Sequence, residues 1–300
     1  MKTLDQVEAR TPINPALPFI ILNSGSYYLT GNLTVSSGYG ILILADNVTL
    51  DLNGFTISST ASPTSGSGVT LNGVRRNVTV KNGHIRGTTT FAAGVFTTGG
   101  FVVGIVSDTL GCANLYFADV NVSSVAGEGI STVFSQPSSR TIVEHCSVSV
   151  CAGSGLAAGS VMDCHVDTAG QRAIQGDRVT NCFGESVGTG GSFDGIYGYS
   201  VVENCRGIAN AGVGINGINA QVSNSFGTSV SGTGLVAICA LNCQGISTSG
   251  AFGLQAVSGT ASFCRGQRNG GVAISATNAI GCTVVGTGTV TAVNKSLGTP

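Results

Sequence analysis

Apolar and polar residues alternate in short runs along most of the chain, and the runs are separated by glycine, serine and asparagine. That period of two, in segments rich in Val, Ile and Thr, predicts short strands and tight turns. The strands fall into register on the cysteines: Cys146, Cys164, Cys182, Cys205, Cys243, Cys264 and Cys282 are spaced by 18, 18, 23, 38, 21 and 18 residues. Ser225 divides the longest gap into 20 and 18. A period near 20 residues marks a repeat architecture.

Other columns keep the same phase. Three residues before each position stand Val143, Val161, Val179, Val202, Val222, Ala240, Ala261 and Ala279, and one residue before stand Asn181, Asn204, Asn224 and Asn242. A third column, usually Gly or Ala followed by Ile or Leu, runs Ile130, Leu156, Ile174, Ile196, Ile215, Leu235, Leu254 and Ile274. A repeat this short leaves no room for a substantial helix, but it suffices for one circuit of short strands, returning about 4.8 Å higher. The reading is an all-β fold, a parallel β-helix of about ten or eleven coils and roughly 50 Å. Asparagine tolerates the left-handed backbone, so its column belongs at a corner, where stacked amides bond one another. The cysteines stack inward as free thiols, because parallel Cβ vectors suit a disulfide poorly. Cys112, Cys151 and Cys239 lie outside that column, and their state is left open.

Upstream of Gly127 the coils are longer and less regular. Asn47–Gly54 and Asn77–Gly83 match at a separation of 30, each ending in an Asn-Gly turn. The expected organisation is one domain over 1–300: cap and entry over 1–32, irregular coils over 33–126, and regular coils of 18–23 residues over 127–293. Thr3–Arg10 carries a capping box, Thr3 with Gln6, and a Leu4/Val7 stripe before Pro12, which predicts a short helix over the N-terminal end. Thr287–Val293 reads as the last strand.

Composition narrows the function. Glycine is 46 of 300 residues, charged residues are 9% and the formal net charge is -1. Nothing here is basic enough for nucleic acid, and no apolar run is long enough for membrane insertion. Met1–Arg10 lacks the pattern of a secretory leader, so an extracellular or cell-surface location is expected only if a leader has been removed. His84, His145 and His165 occupy no shared set of offsets and predict no metal site.

Charge concentrates in one stretch. Residues 172–206 hold Arg172, Asp177, Arg178, Glu185, Asp194, Glu203 and Arg206, seven charges in 35 positions, with Tyr197 and Tyr199 beside them. Beyond Glu203 there is no Asp or Glu. Arg172 and Asp194 both precede the Ile column by two residues, which makes them vertical neighbours. Glu128 shares that column but lies three coils away, about 14 Å, too far for a carboxylate dyad, and Asp167 and Glu185 are stacked neighbours three residues after the cysteine column.

The repeated VxNC and GxGI elements, preceded by Gly25–Leu33 and Ala45–Gly54, resemble bacterial right-handed parallel β-helix repeat proteins of the pectin-lyase-like superfamily. The resemblance covers nearly the whole chain. It implies polysaccharide or oligosaccharide as partner and, if the protein is an enzyme, a lyase, a glycoside hydrolase or a fructotransferase-like activity. Lyases of that fold use an Arg or Lys base with Ca²⁺, and hydrolases use two or three clustered acids; Ca²⁺ is the one cofactor implied. Members are often exported and some are homotrimers. In that frame Asp194, Arg172, Asp177 and Glu203 are the candidate catalytic residues, and Tyr197, Tyr199, Arg178 and Arg206 the candidate substrate contacts. The competing reading is a non-catalytic structural or interaction solenoid, since low charge and flat Gly/Ser/Thr faces suit packing against a partner.

Overall fold

A computed structural model describes residues 10–13, 17–107, 109–132, 140–190 and 193–296. Among them every regular element is a strand, and nearly all pairing is parallel. The fold is a right-handed parallel β-helix. Its contacts group into two compact units, Met1–Ala152 and Gly153–Pro300.

The second unit repeats one design. Each coil has a long strand, as in Ile174–Thr180, Ile196–Glu203 and Ile215–Ser223, then a corner, then a short strand, as in Phe183–Ser186, Arg206–Ala209 and Phe226–Ser229. Register follows the sequence columns: Ile174 pairs Ile196, which pairs Ile215, and Val179 pairs Val202, which pairs Val222. These residues are at most 1% exposed, so the two columns form the core. Most long strands bend at a bulge, between Gly176 and Arg178 and again between Tyr197 and Val201, which turns their second half onto another face.

The corner is built by asparagine. Asn181, Asn204, Asn224 and Asn242 have φ of 54°, 52°, 48° and 51°, the left-handed region that Asn enters at low cost. Asn204 donates its amide to Asn181 at 3.2 Å, Asn181 to Asp163 at 3.0 Å, and Asn242 to Asn224 at 2.9 Å. Beside this ladder the cysteine thiols point inward and donate to the corner carbonyls. Cys205 Sγ lies 3.1 Å from Glu203 O and 3.5 Å from Val179 O, and Cys243 Sγ sits likewise on Leu241 O and Val222 O. Ser225 fills the gap in the cysteine column, its hydroxyl donating to Ser223 O at 2.6 Å and accepting from Cys205 N–H at 3.1 Å.

All ten cysteines are free, and only Cys239 is not buried. One equivalent of thiol is therefore expected to react quickly with an aromatic disulfide reagent in the native protein, and ten after unfolding. Several fast thiols, or a C239S variant that leaves the fast phase intact, would show that the column is open.

The first unit has the longer coils anticipated upstream. Leu50 pairs Val80, and Val80 pairs Phe117, separations of 30 and 37 residues. Asn114 donates to Asn77 at 2.9 Å and Asn77 to Asn47 at 2.7 Å. The Asn-Gly pairs at 53–54 and 82–83 do not reverse the chain as hairpin turns would. The first is a hydrogen-bonded turn, Phe55 N–H donating to Leu52 O at 2.8 Å, and the strand Arg76–Arg86 continues through the second, where Asn82 has a φ of 58°. The one antiparallel hairpin among the described residues, Thr90–Ala92 with Val95–Thr97, carries Phe91 and Phe96, whose rings meet tilted at 39° with centroids 4.5 Å apart.

The ends depart from expectation. The structure does not support the N-terminal helix: residues 1–9 lie outside those described, and Arg10 opens a strand, Arg10–Ile13, paired to Gly25–Leu29. Pro12 sits inside that strand, so it does not mark a helix end. The last strand runs Thr289–Ser296, beginning and ending slightly later than its alternation suggests.

Candidate functional site

Arg172 ends the turn that leads into the strand Ile174–Thr180, and Asp194 holds the same place one coil on. Backbone bonds fix the stacking: Ala173 N–H donates to Asp194 O at 3.0 Å and Ile174 N–H to Gly195 O at 3.1 Å. The predicted vertical neighbours do meet, Arg172 Nε lying 3.5 Å from Asp194 Oδ2.

Asp194 is 2% exposed, and its carboxylate is fully engaged. Oδ1 accepts from Val213 N–H at 2.8 Å, and Oδ2 accepts from the Asn216 amide at 3.1 Å. Burial raises its pKa, against the opposing pull of the Val213 N–H, Arg172 and Asn216. Such a carboxylate is a fixed anchor.

What it anchors is Arg172. The guanidinium lies 4.4 Å above the Tyr197 ring, the geometry of a cation–π contact. Its Nη1 donates to Gln175 Oε1 at 2.7 Å, and Gln175 Nε2 donates to the Tyr199 hydroxyl oxygen at 2.8 Å. The Tyr197 and Tyr199 rings meet edge to face at 4.8 Å. Burial pushes the Tyr197 phenol up, so it stays protonated at neutral pH. Arg172, Gln175, Tyr197 and Tyr199 thus form a connected platform of aromatic faces and polar groups held from beneath by Asp194.

The other four candidates lie elsewhere. Asp177 accepts from the Ser200 hydroxyl near the bulge, and Arg178 is exposed at the bend. Glu203 stands beyond the bend, in a groove of about 490 Å³ with Gln221, Cys239 and Thr260. Arg206 is on the short strand, in a groove of about 660 Å³ beside the asparagine ladder. Four of the eight residues, Arg172, Asp194, Tyr197 and Tyr199, are therefore joined by direct contacts, and the bulge separates the rest. Asp167, expected against Glu185, has its carboxylate 3.9 Å from His165 Nε2. Among the described residues no group of three or more His, Cys, Asp or Glu is placed to hold a metal ion.

Gln175 and Asn216 complete the platform although neither is charged. Both follow the Ile column by one residue, in register with Tyr197, so the column count that located Tyr197 also contained them.

No protein-family model, no curated protein and no solved structure matches this chain.

Proposed function

We propose that this protein is a glycan-binding β-solenoid, and that the platform of Arg172, Gln175, Tyr197 and Tyr199 holds sugar without cleaving it. The observation that carries the reading is the state of Asp194, whose oxygens accept from Val213 N–H and the Asn216 amide and pair with the Arg172 guanidinium at 3.5 Å, at the base of the platform. Cleavage by a carboxylate pair needs two acids facing one bond across a short gap. Here the acid in the cluster is spent on holding Arg172, while Glu203 stands across the bend.

The surface left to a ligand is two tyrosine rings and a guanidinium. Aromatic faces take the C–H face of a sugar ring, and fixed polar groups orient its hydroxyls. Resemblance to the pectin-lyase-like superfamily supports the same ligand class. Preorganisation favours binding, because the side chains are already immobilised by their mutual contacts.

The expected outcome on a panel of acidic and neutral oligosaccharides is measurable binding with no new reducing ends or unsaturated products. Tyr197→Ala should weaken binding about tenfold, the scale at which an interface hot spot begins. Cleavage products that vanish in Asp194→Asn would replace this reading with an enzymatic one, and a wild-type protein that binds nothing on the panel would end it.

A further inference from the structure

A different face of the second unit carries an outward column that neither the charge density nor the Ile column reveals. One residue after each cysteine position, the short strands present His165, Phe183, Arg206, Phe226, Gln244 and Arg265 in register. The His165 and Phe183 rings stack at 4.6 Å and 12°. Arg206 lies between two aromatic rings, 5.7 Å from the Phe183 centroid and 5.6 Å from that of Phe226. The ladder amides of Asn181, Asn204 and Asn224 form the adjoining wall, and with His165, Phe183, Arg206 and Phe226 they line a groove of about 660 Å³ whose one carboxylate, Asp163, lies at the His165 end and accepts from Asn181 at 3.0 Å.

Two features single out the coil of Arg206. Its guanidinium is exposed and meets no carboxylate among the described residues, in contrast to Arg172. The amide ladder is also interrupted there: bonds join Asn204 to Asn181 and Asn242 to Asn224, but none joins Asn224 to Asn204. Beside an uncompensated cation, Asn204 Oδ1 and Asn224 Nδ2 are thus left without a ladder partner.

We propose that this groove is a second binding surface, distinct from the Arg172 platform, for an extended glycan bearing acidic groups. Rings of the polymer lie on Phe183 and Phe226, hydroxyls reach the interrupted amide wall, and an acidic substituent meets Arg206. The two phenylalanines face Arg206 from the coils before and after it, about 10 Å apart along the stack, a span that a disaccharide covers. Flanking rings hold the guanidinium outward and weakly hydrated, which favours a bidentate contact with an anion. The ligand class rests on the glycan reading above, whereas the location is independent of it.

Affinity electrophoresis in native gels containing alginate, heparin or neutral dextran tests this with the intact chain. Wild type should be retarded by at least one acidic polymer and not by dextran. Arg206→Ala and Phe183→Ala should each weaken that retardation about tenfold. Arg206 is exposed, so R206A keeps the native melting temperature and separates lost contact from lost fold. Retardation of R206A and F183A equal to wild type overturns the proposal, as does equal retardation by dextran. Loss in Tyr197→Ala alone overturns it while leaving the platform reading standing. Loss in R206A with Y197A unaffected supports it and leaves the platform to its own oligosaccharide test. No retardation of wild type in any gel overturns both.

Discussion

Gly214→Val is expected to destabilise the second unit by about 3 kcal/mol, at the upper end of the usual cost of overpacking. The column before the Ile and Leu core positions reads Gly155, Ala173, Gly195, Gly214, Gly234, Gly253 and Ala273. Here two walls of the coil approach with backbone against backbone. A Cβ on Gly214 would stand 2.4 Å from Thr228 N and 2.5 Å from Gly234 O. Thr228 belongs to a strand paired above and below, and Gly234 O accepts from Ile215 N–H at 3.1 Å, so neither can yield without breaking backbone hydrogen bonds. Gly31 supplies the contrast, because a Cβ there meets nothing within 4 Å, and Gly31→Ala should stay within about 0.5 kcal/mol of wild type. Urea denaturation followed by far-UV circular dichroism checks the pair. A Gly214→Val midpoint as high as that of wild type would mean that the walls are not in contact.

That close approach also explains how much the sequence could disclose. Every coil must present the same inward residue at the same height, so Val179, Val202 and Val222 had to recur in step, and a column count recovers their pairing. Outward residues carry no such constraint. Their face is decided by the bulge between Tyr197 and Val201, a local backbone irregularity that leaves the inward columns untouched. Counting along the chain therefore placed Arg172 against Asp194, at the same height in adjacent coils and before the bulge, but grouped Glu203 and Arg206 with them across a bend. Gln175 and Asn216 carry no charge to mark them, although Asn216 donates to the buried Asp194 carboxylate and Gln175 bridges Arg172 to Tyr199. The His165, Phe183, Arg206 and Phe226 column mixes ring and cation, so no single residue type marks it. At the N-terminus the capping-box segment lies outside the described residues except for Arg10, which opens a strand.

Asp194 supplies the second large effect. Replacing it with alanine removes the anchor from three groups at once: the Val213 N–H, the Asn216 amide and the Arg172 guanidinium, with Arg172 Nε itself buried. Removing one partner of a buried ion pair costs about 3–5 kcal/mol, and Asp194→Ala is expected in that range. Asp194→Asn keeps the size and one acceptor, and should lose much less. The two variants also separate charge from shape through pH. Burial lifts the native pKa of Asp194 above its ordinary value of 3.8, so between those two values the folded chain holds a proton that the unfolded chain has released. Stability from this group is then full below pH 3.8 and declines as pH rises through the native pKa. Asp194→Asn has no proton to lose there, so its stability relative to wild type should increase as pH rises across that window. Melting curves between pH 3 and 7 give the comparison. A wild-type-minus-variant difference that moves the opposite way would show that Arg172 and the two hydrogen bonds outweigh burial in setting the Asp194 pKa.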